Sequence, residues 1–256
     1  LQTINGCDSI ITINLTVVPP NITITPDTAI CLGSSVQLNA SGGLYTYSWT
    51  PATGLSDSSI ANPVATPQQT TSYVVTTQVA SGDLITNGNF SSGNAGFSSG
   101  YTYTTNLYPE GTYYVGTNPN TYHSGFSACT DHTTGNGNLM IVNGAGTPGL
   151  SVWCESINVV PNTNYAFGCW AESVASGSPA ILQFSINGNL IGPSFNVSNT
   201  PCQWQQFYAI WNSGSNTTAN ICIVNQNTTT GGNDFAMDDI SFVGLCNSYD
   251  TVTITV

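Results

Sequence analysis

Cys246-Asn247-Ser248-Tyr249-Asp250-Thr251-Val252-Thr253-Ile254-Thr255-Val256 has a near copy at Cys7-Asp8-Ser9-Ile10-Ile11-Thr12-Ile13-Asn14-Leu15-Thr16-Val17. Each begins with a Cys, carries a Ser two residues on, and continues in a β-branched run. Within residues 251–256 and 12–17, polar and apolar side chains alternate with period two, so each run suits a strand with one face on a core and one in water. A segment that recurs this far along a chain marks modular construction, the same piece closing successive units. The first copy is expected to end a unit that precedes the rest.

Composition extends the strand reading to the whole chain. Charged residues make up 5% of 256 positions, 40% are hydrophobic, and Thr, Ser, Asn, Gly, Val, Ile and Tyr dominate, a bias toward strands and turns. The chain is read as all-β. With no Lys or Arg against 12 Asp plus Glu, the net charge is -12; nothing is available to neutralise phosphates or an anionic bilayer, so nucleic acid is excluded as a partner. No apolar run approaches the roughly 20 residues of a membrane-spanning helix, and no membrane insertion is expected. Eight Cys without a C-x-x-C pair, and only two His, point to disulfides rather than zinc and hence to an oxidising, extracellular setting.

Val18-Pro19-Pro20 is a stiff break, since paired prolines hold an extended linker and cannot continue a ladder. Alternating runs follow at 22–25, 35–40, 45–49 and 72–77, separated by turn clusters such as Ser41-Gly42-Gly43 and Pro51-Ala52-Thr53-Gly54. This spacing suits a small sandwich.

Cys31-Leu32-Gly33, Ala40-Ser41-Gly42-Gly43, Tyr47-Ser48-Trp49-Thr50-Pro51, Gly54-Leu55-Ser56, Asn62-Pro63 and Thr70-Thr71-Ser72-Tyr73-Val74-Val75 resemble the PKD/immunoglobulin-like repeats of Bacteroidota surface proteins. Many of these are exported by the type IX secretion route and include gliding and adhesion proteins. Such repeats finish with Asn-Gly-Cys and a last strand. The first copy, Asn5-Gly6-Cys7 onward, fits that ending; after Thr77 it comes only at Cys246. The intervening segment opens with Leu84-Ile85-Thr86-Asn87-Gly88-Asn89-Phe90 and closes with Asn233-Asp234-Phe235-Ala236-Met237-Asp238-Asp239-Ile240-Ser241-Phe242, which resemble the first and last strands of carbohydrate-binding jelly rolls. Between them, strand-like runs at 137–144, 153–158, 165–172, 181–186, 204–211 and 219–225 fit two packed antiparallel sheets.

The expected architecture is an Ig/PKD-like sandwich with a jelly roll inserted before its last strand: residues 1–18 a terminal or donor strand, 19–82 with 245–256 the discontinuous sandwich, and 83–244 the jelly roll. The resemblance implies a structural, adhesive repeat module of a bacterial surface protein or fibre. Such modules would join adjacent repeats or identical subunits by β-strand addition. The alternative is a carbohydrate-binding module that tethers a secreted enzyme to polysaccharide.

No catalytic constellation emerges. Glu110, Glu155, Glu172, Asp238 and Asp239 are the acids from which a glycosidase pair would be drawn, but no further pattern supports one, and the two histidines, His123 and His132, lie in Ser/Thr/Gly-rich loops without a Gly-x-Ser-x-Gly elbow. The chain is read as a non-enzyme. The jelly-roll resemblance implies a structural Ca²⁺, with Asn87, Gly88 and Asn89, Asp131 with Thr133, and Asp238 or Asp239 at the matching positions. Asn89 and Ser91 stand where carboxylates are commoner, and the same acids also read as turn caps and strand-end solvating groups. Tyr101, Tyr103, Tyr108, Tyr113, Tyr114 and Tyr122 crowd one loop-rich stretch and form a candidate glycan platform, because sugar C–H faces stack on exposed rings. Trp153, Trp170, Trp204 and Trp211 lie inside strand patterns and read as core.

If the sandwich is discontinuous, Cys31 and Cys246 are expected to bridge, leaving Cys7 a partner outside the chain. Cys154 and Cys169 are equidistant from the turn near Asn162 and are expected to bridge across a hairpin. Asn14, Asn21, Asn39, Asn89, Asn196, Asn216 and Asn227 stand in Asn-x-Ser/Thr triplets, but in so Asn- and Thr-rich a chain chance matches abound. Ser9, Thr28 and Thr251 sit in triplets that resemble the Asp-Ser/Thr-apolar acceptor of Bacteroidota O-glycosylation.

Overall fold

The computed structural model describes residues 22–43 and 46–256. They form strands and turns with one short 3-10 turn at Pro119–Thr121, and they separate into two compact units: the described residues up to 79 with 247–256, and residues 80–246. The expected strand at 10–17, with Cys7 and Ser9, lies outside the described residues.

In the first unit, β1 (Thr23–Ile24), β2 (Thr28–Ala29), β3 (Val36–Gln37), β4 (Ala40–Ser41), β5 (Tyr47–Thr50) and β6 (Val64–Ala65) precede β7 (Thr71–Asp83). β1 pairs β4, β3 pairs β6, and β5 pairs β7, all antiparallel. Alternation decides which side chains go in: Tyr73 and Val75 are fully buried while Ser72 and Thr76 face out. They pack with Leu38, Trp49 and Ala65 in one cluster. Each large side chain so buried contributes about 1.5–3 kcal/mol of hydrophobic stabilisation. The polar ends of the aromatics stay satisfied, Trp49 Nε1 donating to the Ile60 carbonyl at 2.9 Å and Tyr73 Oη to that of Thr53 at 3.0 Å.

The second unit contains β8 (Thr102–Tyr103), β9 (Thr112–Gly116), β10 (Leu139–Asn143), β11 (Leu150–Asn158), β12 (Asn164–Ser173), β13 (Ile181–Ile186), β14 (Asn189–Asn196), β15 (Gln205–Asn212), β16 (Thr218–Asn225) and the start of β17 (Phe235–Thr255). One sheet runs β15-β12-β17-β10-β9-β8 and the other β11-β16-β13-β14. Together they make a jelly-roll sandwich whose core includes Trp153, Phe167, Phe184, Phe207, Ile223 and Phe242. Phe184 stacks on Phe207, with ring centroids 4.5 Å apart. β10 is buried on both faces: Met140 and Val142 point into the sandwich, while Leu139 and Ile141 join Leu107, Phe126, Val174 and Ala236 in a second cluster on the opposite face. That is why its sequence is a continuous apolar run rather than an alternating one.

The last part of β17 belongs to the first unit. Val252 and Ile254 are fully buried in its core. Ile254 and Thr255 pair in parallel with Thr28 and Ala29, and Thr253 donates its amide to Asp27 Oδ1 at 2.7 Å. The strand at 249–256 thus lies between β2 and β7 and completes the sheet of residues 22–79.

Three expectations fail. Residues 84–90 are not a strand: the chain leaves β7 at Asp83 and turns, with Phe90 at φ 51. Cys154 does not meet Cys169, because β11 and β12 are not a hairpin. Pro161-Asn162 carries the chain from one sheet to the other, and Cys154 lies directly opposite Cys222 on β16, to which it is bonded. Cys129 bonds Cys202. Cys31 and Cys246 are both free. β2 runs parallel to β17 and Ile30 donates its amide to the Thr255 carbonyl, so the register sends Cys31 past the end of β17 opposite to Cys246.

Candidate functional site: a cleft on β12, β15 and β17

Phe167, Cys169 and Ala171 of β12 point into the sandwich, so alternation turns Gly168, Trp170 and Glu172 to the other face. Across that face Trp170 lies opposite Gln206 of β15 and Asp238 of β17, and Gly168 opposite Tyr208 and Ser241. The step from Gly168 to Trp170 faces the longer step from Ser241 to Asp238. The extra residue of β17 is taken up at Asp239, whose φ of 45 is left-handed. This is a bulge, a device that re-aims a side chain at a sheet surface. Here it sets Asp239 beside a cleft of about 470 Å³ that is also lined by Asp83, Asn89, Trp170, Gln206 and Ser241.

The segment after Cys129 is fastened over this face. Asp238 Oδ2 accepts from the backbone amides of His132 and Thr133, at 2.9 and 3.1 Å, and from Thr133 Oγ1 at 3.1 Å. Asp239 accepts from Thr133 Oγ1 at 2.7 Å on one oxygen and meets His132 Nδ1 at 2.7 Å on the other. Asp131 closes the loop on itself through Thr134 and Gly137. The His132 ring lies on the Trp170 indole, and Trp204 donates its Nε1 to the Thr130 carbonyl at 3.1 Å. Beneath the loop is Glu172, fully buried, whose carboxyl oxygens have no hydrogen-bond partner among the described residues. Burial, reinforced by Asp238, pushes its carboxyl up to about 8. Asp238 is raised to about 6, again chiefly by burial, with the amide of Asp239 and those of the loop acting in the opposite sense.

The residues expected to hold calcium converge on this neighbourhood but do not fit the ion. Ca²⁺ requires six to eight free oxygens. The Asn87 side chain is consumed in its own turn, donating to the Gly93 and Ala95 carbonyls and accepting from Ser92. The Gly88 carbonyl accepts from Ile240 and Asn89 Oδ1 from Ser91. Asp131, Thr133, Asp238 and Asp239 are engaged with one another's segments as above. Among the described residues no group of three or more His, Cys, Asp or Glu is placed to hold a metal. Of the acids considered for catalysis, Glu172 and Asp238 influence one another, whereas Glu110 and Glu155 are raised chiefly by burial and less by Asp234 and Asp83 respectively.

The tyrosine platform breaks up. Tyr101 and Tyr113 are core residues, Tyr101 Oη accepting from the Ala145 amide and Tyr113 Oη donating to Asn94. Tyr103 and Tyr108 are exposed, but Tyr103 stacks on Tyr114, Tyr114 packs on Tyr122, and Tyr108 on His123. Rings that cover one another leave no row of open faces. Of the glycosylation positions, Thr28 is half-buried with its hydroxyl donated to the Pro26 carbonyl, and Thr251 is exposed. Trp170, expected in the core, is half-buried and lines the cleft; Gln206, His132 and Asp83 were not singled out as cleft residues from the sequence. The signal for Trp170 was its phase, one position off the inward set Phe167, Cys169 and Ala171.

No protein family matches the sequence, and no curated protein does. Solved structures resemble it. The CBM22-1 xylan-binding domain of Paenibacillus barcinonensis Xyn10C gives a TM-score of 0.45 at 12% identity, over 64% of this chain and 96% of that one. A cyclase from Fischerella sp. TAU gives 0.46 at 13%, over 66% and 98%. The C-terminal domain of EclA, a sugar-binding protein, gives 0.33 at 12%, over 37% and 67%.

Proposed function

We propose that the unit formed by residues 80–246 is a carbohydrate-binding module of an extracellular protein, and that the glycan sits in the cleft beside Trp170. The observation that carries this reading is the composition of the cleft. One indole, the amides of Gln206 and Asn89 and the carboxylates of Asp83 and Asp239 share a cleft of about 470 Å³, within the size range of ligand sites. His132 covers one face of the Trp170 indole; the part of the ring that lines the cleft offers a surface to the C–H face of a sugar, and the amides and carboxylates engage hydroxyls in both senses, as donor and as acceptor. The disulfides Cys129–Cys202 and Cys154–Cys222 favour an oxidising compartment. Titration of the full chain against a glycan panel tests the reading. Binding that Trp170→Ala removes without lowering the melting temperature is the expected result; no binding to any glycan, or binding indifferent to Trp170, overturns it.

A second reading, an adhesive module joined to its neighbours through strands, draws on the sandwich of the first unit being completed by 249–256, since a strand that arrives from elsewhere in sequence is also one that can be supplied in trans. Concentration-dependent polymers seen by light scattering would support it, and a monomer at all concentrations would count against it.

A further inference from the structure

The cleft's charge discriminates among sugars. Asp83 and Asp239 line it together with Trp170 and Gln206, and the chain has no Lys or Arg with which to balance them. Asp83 is held by one oxygen only, Oδ1, which accepts from the amides of Ile85 at 3.0 Å and Phe242 at 2.9 Å; the residue is exposed. Asp239 is held by the bulge and by the bonds to Thr133 and His132 already described. His132 is the one side chain beside the cleft able to become cationic, and it faces Asp239 and Trp170. Even when protonated it leaves one of the two carboxylate charges uncompensated.

Carboxylates next to an indole attract an ammonium twice over, by charge-assisted hydrogen bonding and through the ring quadrupole. The same groups repel uronates and sulfated sugars. We propose that the cleft selects glycans bearing free amines, of the glucosamine type found in deacetylated chitin, over their N-acetylated and acidic counterparts. This rests on the carbohydrate reading above and narrows it to a class of ligand.

The test compares a short glucosamine oligomer with the N-acetylglucosamine oligomer of the same length, titrated into the full chain at slightly acid pH where the sugar amine is protonated. Binding of the amine form about tenfold tighter, narrowing at high salt, is the expected result. Asp83→Asn keeps the Oδ1 acceptor for the Ile85 and Phe242 amides while removing the charge. It should shrink the preference for the amine form, with an unaltered melting temperature. Equal affinity for the two oligomers overturns the inference and leaves the carbohydrate reading standing, whereas no binding of either, or of any other glycan, overturns both. An amine preference that survives both Asp83→Asn and Trp170→Ala reports only diffuse attraction to a chain of net charge -12, and overturns the inference as well.

Discussion

His132 lies flat on Trp170, with ring centroids 3.9 Å apart and planes 18° from parallel, while its Nδ1 meets Asp239 Oδ2 at 2.7 Å. The imidazole thus braces the indole against the loop that carries it. His132→Ala should loosen Trp170 without removing it, so glycan affinity should fall by less than in Trp170→Ala. Tryptophan fluorescence anisotropy and titration check this together; an affinity equal to that of the unaltered chain shows the brace to be dispensable.

Glu172 and Asp238 make stability depend on pH in a direction opposite to the usual carboxylate. Their folded-state values, about 8 and about 6, lie above the model-compound values of 4.5 and 3.8. Between those limits the folded chain retains protons that the unfolded chain has released, so stability falls as pH rises, by at most about 1.4 kcal/mol per pH unit for each group. Melting temperature should decline from about pH 4 to about pH 8. Glu172→Gln, which stays neutral, should flatten that decline, and an equally steep profile in the variant would remove Glu172 from the account.

Peptide mapping under non-reducing conditions should recover Cys129 with Cys202 and Cys154 with Cys222. Each closes a loop of about 70 residues, for which the chain-entropy account gives about 4 kcal/mol, and reported losses run from about 2 to 5. Cys31 and Cys246 should alkylate in the native state and the buried Cys169 only on unfolding. A native chain in which Cys169 reacts as fast as Cys31 would contradict the burial.

At Gly88 a side chain has nowhere to go, because a Cβ there would run into the Ile240 carbonyl oxygen and break the approach that lets Ile240 donate its amide to Gly88 at 3.0 Å. Gly88→Ala should destabilise by more than about 2 kcal/mol, read from the urea midpoint. A midpoint matching the unaltered chain would mean that the two segments are not in contact.

Chelation should leave the melting temperature unchanged, since Asn87, Gly88, Asn89, Asp131, Thr133, Asp238 and Asp239 already make hydrogen bonds within the chain. A fall in EDTA that added Ca²⁺ reverses would show that the loop rearranges to admit the ion.

Much of the fold was legible because alternation and turn chemistry are local. The runs at 72–77, 181–186 and 219–225 read as strands and are strands, and the closing strand was found by what residues 22–79 lack. Pairing was harder, since it is decided at long range. The turn at Pro161-Asn162 looks the same whether it joins neighbours in one sheet or passes between sheets, and the Cys154 partner hangs on that difference. β9 and β14 went unread: Thr112-Tyr113-Tyr114-Val115 sits in a Tyr-rich stretch taken for loop, and β14 carries Gly192 and Pro193, residues that normally break a strand. The cleft was the least visible. Tyrosine density advertised a platform that packing then dismantled, while Trp170, one residue among inward-facing neighbours, kept its place at the surface.

β17 gives the chain an order of completion. The unit that begins first cannot close until its last strand has been made, after the whole of 80–246. During synthesis from the N-terminus the later unit has all its strands in hand sooner, so it is positioned to fold while the earlier one waits with an open edge. The inserted module is then finished before its host, and truncation between Cys246 and Val252 leaves the host without two of its core side chains while sparing the insert.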